Sequence, residues 1–128
     1  MTVEDTDARS QAVQKPGTER ISLDYMKSQI AHTHVFVLGD ALQALFDGKN
    51  RVPPEARVTR EEHPAMFVMT MCVLTMRSGF VVVGKSAPMD PKNFDAEHGA
   101  KLAYDQAVQQ LWPLFAFGKL QAKHEGWG

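Results

Sequence analysis

The sequence predicts an α+β domain: an antiparallel β-hairpin or small sheet packed against a long C-terminal helix, with helices on the N-terminal side. Two observations carry the prediction. Two β-rich runs, Met66–Met76 and Phe80–Gly84, flank the short turn Arg77-Ser78-Gly79. After two prolines, a helical periodicity begins near Phe94 and runs to Trp112.

The elements follow in chain order. Residues 1–20 are polar and lack the apolar surface that offsets chain entropy, so they are expected to form a flexible leader. A single domain spans 21–124, with a flexible tail at 125–128. Within it, Leu23, Met26 and Ile30 share one helical face after Ser22, and Ile21 is placed to staple the helix start. His32–Leu38 is β-branched and aromatic and ends at Gly39-Asp40, which suits either a strand or the lead-in to a second helix. Ala41, Leu42, Ala44, Leu45 and Phe46 predict two helical turns capped by Asp40 and stopped by Gly48. Three prolines between Lys49 and Pro64 mark a long loop over 49–64.

Met66–Met76 is apolar on both alternating sets of positions, the pattern of a strand covered on both faces. Gly79 supplies the positive φ of the turn into the second strand. Asn93 or Asp95 is suited to cap the long helix, whose first turn carries acidic residues as the macrodipole favours. Ala96, Ala100, Ala103 and Ala107 form a small-residue stripe along it. Pro113 should kink or end that helix near Trp112, leaving Leu114, Phe115 and Phe117 as a separate apolar turn before Gly118.

Composition excludes several classes of function. The 128 residues are 44% hydrophobic and 23% charged, which suits one globular core. The net charge of −1 offers no global attraction for nucleic acid, and no recognition-helix pattern is visible, so DNA binding is not expected. No apolar run approaches the roughly 20 residues of a bilayer span, and the N-terminus lacks a signal-peptide core, which points to the cytoplasm. The one cysteine, Cys72, lies mid-strand among apolar residues, where a thiol acts as a small hydrophobe and not as a nucleophile. His32 and His34 would share a strand face, yet no Asp, Glu or Cys at matching spacing completes a metal set. Glycine-rich phosphate loops and a His-Glu-x-x-His motif are absent from the sequence. No metal, cofactor or catalytic residue is therefore expected, and the reading is non-enzymatic.

Two segments suit a ligand. Ser86–Phe94, stiffened by Pro88 and Pro91, delivers Lys92 and Asn93 to a helix N-terminus, where free amides attract an anion such as phosphate. The same residues also make an ordinary cap and crossover. Lys49, Arg51, Arg57 and Arg60 form a cationic run with Glu55 as the intervening acid, the pattern of a solvated loop. Folded over the hairpin, it would bring Arg57 or Arg60 to those phosphates, with Phe80 or Phe94 available to stack on a base.

An ordered series of motifs resembles a family of small tailed-bacteriophage accessory proteins of phages and prophages. It comprises Cys72 in a strand, Gly79-Phe80 after the turn, Gly84-Lys85-Ser86-Ala87, Pro91-Lys92-Asn93-Phe94-Asp95, Gly99, and Trp112-Pro113-Leu114. With Arg20-Ile21-Ser22-Leu23 the resemblance covers roughly residues 20–122. The hairpin-plus-helix layout is also similar to that of the Thoeris anti-defence proteins, phage sponges that sequester cyclic ADP-ribose-type immune signals. That likeness implies an oligomer binding a cyclic nucleotide in the host bacterial cytoplasm. Asn93, with Phe80 or Phe94 and a nearby cation, would contact the ligand. Gln109-Gln110 stand where many relatives carry a basic residue, so the cation would come from Arg57, Arg60, Arg77 or Lys85. A structural or protein-interaction role is the alternative, and either role implies a homo-oligomer.

Overall fold

The computed structural model describes residues 2–13, 20–47 and 57–126. The elements are α1 (Val3–Val13), α2 (Leu23–Ser28), β1 (Ile30–Val37), α3 (Leu38–Asp47), β2 (Thr70–Met76), β3 (Val81–Ser86), α4 (Ala96–Gln109) and α5 (Leu111–His124). Short 3₁₀ turns cover Pro64–Val68 and Pro91–Asn93. The strands form one antiparallel sheet in the order β1-β2-β3, so the fold is α+β as the sequence predicts.

The β2–β3 hairpin closes where expected. Gly79 has φ 94°, its amide donates to the Met76 carbonyl at 2.8 Å, and the Met76 amide donates to the Phe80 carbonyl at 2.8 Å. In the register, Thr33, Leu74 and Val82 lie side by side, as do Val35, Cys72 and Gly84. Leu74, Val82 and Cys72 are buried on that face with Ala103, Ala107, Val108 and Leu111. α4 approaches so closely that Gly84 has room for no side chain beneath Ala103 and Ala107. The alanine stripe therefore lets a helix backbone rest on a strand backbone.

The other face behaves differently from the expectation of a strand covered on both sides. Along β2, Thr70, Cys72, Leu74 and Met76 are buried, whereas Met71, Val73 and Thr75 are only half-buried. Their neighbours across the sheet include His34 and Val83, Phe36 and Lys85, and His32 and Val81, all exposed. Among the described residues one helical layer covers β2 and β3, β1 is exposed on both faces from Ala31 to Phe36, and a run of apolar positions on both sides of a strand did not require two layers.

Other expectations need correction at their edges. The described part of the leader is a helix: α1 buries Val3 completely, and the Asp7 carboxylate accepts from Arg20 at 3.0 Å and from the Leu23 amide at 3.1 Å. Val3 and the Asp7 carboxylate are joined in the attachment by Thr6, which accepts from Gln109 of α4 at 3.2 Å, and by a Glu4–Lys27 pair at 3.6 Å; residues 14–19 lie outside the described set. Ser22 does cap α2, accepting from Tyr25, but the helix ends at Ser28 and Ile30 already belongs to β1. His32–Leu38, open between strand and helix, is mostly strand, because pairing with β2 satisfies its backbone. α3 starts at Leu38, which places Asp40 inside the first turn instead of at the cap; Gly48 lies outside the described residues.

The N-terminal part of the expected 66–76 strand is also different. Pro64 opens a 3₁₀ turn through Val68, and proline at a first helical position surrenders no hydrogen bond. Of the expected 49–64 loop, 57–63 are irregular with a turn at 60–62, and 49–56 lie outside the described residues. The long C-terminal helix breaks at Gln110, and α5 then runs past Gly118 to His124. Pro113 falls in the first turn of α5, where its missing amide would have had no acceptor, so the break precedes it and Gly118 stops nothing. Of the expected tail, 125–126 form a turn and 127–128 lie outside the described residues.

Candidate functional site

At the end of the sheet where β1 and β3 finish, Phe94 stands between two adjoining cavities. One, of about 250 Å³, is lined by Ser86, Pro88, Asn93, Phe94, His98 and Gly99, at the first turn of α4. The other, of about 330 Å³, is lined by Val37, Asp40, Arg60, Phe67, Pro91 and Phe94. Phe94 and Val68 wall both, so the two form one bipartite cleft.

Local sequence chemistry builds each side. Asp90 caps the Pro91–Asn93 turn by accepting from the Lys92 amide at 3.0 Å, which closes that turn on Asn93 and leaves Phe94 and Asp95 in extended backbone ahead of α4. Asp95 then caps α4, accepting from His98 at 3.1 Å. The amides of Ala96 and Glu97, in the same first turn, have no acceptor within the helix. On the other side, the Arg60 guanidinium lies 4.5 Å over the Phe67 ring and donates to Asp40 at 3.1 Å. Both ion-pair side chains are more than half exposed, and such a pair contributes under about 1 kcal/mol, so an incoming anion competes with Asp40 at small cost. The cleft combines one guanidinium, the Asp40 and Asp95 carboxylates, an aromatic wall, an amide side chain, a hydroxyl and a helix start already capped by Asp95. That set suits a small planar ligand carrying a negative group.

The sequence-derived site residues separate into groups. Arg60, Ser86, Asn93 and Phe94 meet in this cleft. Arg57 packs its guanidinium 4.3 Å over Phe46 of α3 and does not line the cleft. Lys92 is exposed on the turn beside it. Lys85 shares the outer face of the sheet with Met71 and Phe36. Arg77 and Phe80 sit at the hairpin turn, at the opposite end of β2 and β3 from Ser86. The structure adds Asp40, Phe67 and His98. Pro64 preceding Phe67 by three residues was the signal for the turn that presents that ring.

His32 and His34 share a face, with ring centroids 6.3 Å apart, and no group of three or more His, Cys, Asp or Glu among the described residues is placed to hold a metal ion. Cys72 is buried, and desolvation pushes its thiol pKa up. No described helix is long and apolar enough to cross a membrane. The C-terminal half of the alanine stripe and part of the aromatic turn are used inside the molecule: Ala103 and Ala107 are fully buried, Ala96 is exposed, and Trp112 and Phe115 pack against the core.

No curated protein and no solved structure matches the chain. A protein-family model does, over residues 21–123, a stretch that includes the hairpin, the Pro91–Asp95 segment and both C-terminal helices. The chain belongs to the phage protein (N4 Gp49/phage Sf6 gene 66) family.

Proposed function

We propose that this phage protein is a non-enzymatic binder of a small nucleotide signal of the cyclic ADP-ribose type, acting in the host cytoplasm as a sponge. The observation that carries the reading is the bipartite cleft, where Phe94 separates the Arg60 side from the Asn93 and α4 side. A base stacked on Phe94 would leave a phosphate near Arg60 or the first turn of α4. The resemblance read from the sequence, a hairpin-plus-helix layout like that of the anti-defence sponges, is what suggests this ligand class. A sponge that outcompetes a host receptor needs a Kd near 10⁻⁹ M, about −12 kcal/mol.

The test incubates the protein with cyclic nucleotides and ADP-ribose cyclisation products, removes free ligand, denatures by heat and identifies what is released by mass spectrometry. Intact ligand in proportion to protein is the expected result. A chemically altered product would identify an enzyme, and an empty protein would remove the reading. Calorimetry on Asn93→Ala with Phe94→Ala, and on Arg60→Ala, should show binding abolished with the fold intact.

A second reading, a protein-interaction accessory factor that works as a homo-oligomer, is favoured by α5. Leu114, Phe117 and Leu120 project from it into solvent.

A further inference from the structure

Beyond Phe115, which still packs against the core and edge-on to Tyr25, α5 runs away from the core. Leu111 is its one buried residue, whereas Leu114, Phe117 and Leu120 are 43%, 69% and 67% exposed. A helix of 14 residues is near the shortest that persists without tertiary support, so this one gains from being covered. Beside it runs an apolar groove of about 520 Å³, walled by Tyr25, Met76, Phe80, Leu111, Leu114 and Phe115. Phe80 and Tyr25 on its rim are themselves more than half exposed. Leu114 lines the groove and also begins the exposed row, and the rim and row residues together leave on the order of 500 Å² open. A standard interface takes about 800 Å² from each partner.

We propose that this surface binds a second copy of the chain, with two α5 helices packed antiparallel across a two-fold axis at Phe117. The occupant follows from the sequence of the exposed row. Leu114-x-x-Phe117-x-x-Leu120 reads the same in both directions. An antiparallel copy therefore sets Phe117 against its own equivalent and each Leu114 against the other Leu120, the self-complementarity an isologous interface requires. The same axis places Lys123 opposite Leu111, Lys119 opposite Phe115 and His124 opposite Gln110, so no cation meets its like. Antiparallel helices also oppose their dipoles. The interface is remote from the Phe94 cleft in sequence and in the sheet, and it does not depend on a ligand.

The test measures the mass of the full chain by light scattering and sedimentation from 1 to 100 µM. A species of twice 14.3 kDa is expected. Phe117→Glu, at an exposed position, should weaken the dimer at least about thirtyfold while keeping the circular dichroism of the wild type. Phe117→Cys should form an intermolecular disulfide in air, because a residue on the axis meets its own copy. The wild type, whose Cys72 is fully buried, should not. A wild-type monomer at 100 µM overturns the proposal, as does a dimer that tolerates Phe117→Glu and leaves Phe117→Cys reduced, which would locate the interface elsewhere, such as the open face of the sheet.

Discussion

Gly84→Ala tests the packing on which the whole domain rests. A methyl group there would stand 2.5 Å from the Ala107 nitrogen, 2.8 Å from the Ala107 Cβ, and closer still to the Ala103 carbonyl oxygen. Two of these atoms are helix backbone, so no side-chain rotation relieves the overlap, and α4 must lift from β3. Inserting a methylene into a packed core commonly costs 1–3 kcal/mol, and rigid neighbours place this substitution at about 3 kcal/mol or above. Set against the ~5–15 kcal/mol of a typical domain, that is a large share. Urea unfolding followed by circular dichroism should show the midpoint falling at unchanged slope, and the melting temperature should drop on the order of 10 °C. A variant within about 0.5 kcal/mol of wild type would show that α4 does not lie on the sheet as described.

Other outcomes follow from the same structure. Leu74→Ala, at a fully buried position in the central strand, should cost about 3–5 kcal/mol by equilibrium unfolding. Asp7→Asn should loosen α1 and cost about 1–2 kcal/mol at neutral pH, with faster proteolysis of the first 13 residues. Partial burial pushes the Asp7 carboxyl up, but the hydrogen bonds from Arg20 and the Leu23 amide and the Arg20 charge outweigh it and hold it below the ordinary 3.8. A depressed folded-state value means that the stabilisation is complete above 3.8 and is lost as pH falls through the lower folded value. The acid limb of a stability profile should therefore be shallower in Asp7→Asn than in the wild type. Native Cys72 should resist a thiol reagent at pH 8 and react fully in denaturant, since burial both covers the thiol and raises its pKa.

Much of the candidate cleft could be read from the chain because its signals are local. Two prolines stiffen Pro88–Pro91, aspartates at 90 and 95 cap the turns on either side, and Asn93-Phe94 is held between them. Arg60 was visible only as one of several cations. Its selection over Arg57, Arg77 and Lys85 depends on Asp40 and Phe67, which come from separate elements. Phe80 was an equally good stacking candidate by residue type, and its place beside α5 is set by the length of the hairpin.

By itself the sequence determined the α+β class, the hairpin with Gly79 at its turn, the amphipathic helix with its alanine stripe, and kinship to a phage family. Each of these rests on periodicity, turn chemistry or short motifs, which act over a few neighbouring residues. Only the tertiary structure decided that α1 docks through Val3 and Asp7, that one face of the sheet is left open, and which cation joins Phe94. It also decided that α5 extends past Gly118 with its apolar row outward. Those outcomes depend on which surfaces far apart in the chain compete to cover one another, and an apolar residue carries no local mark of the partner that will bury it.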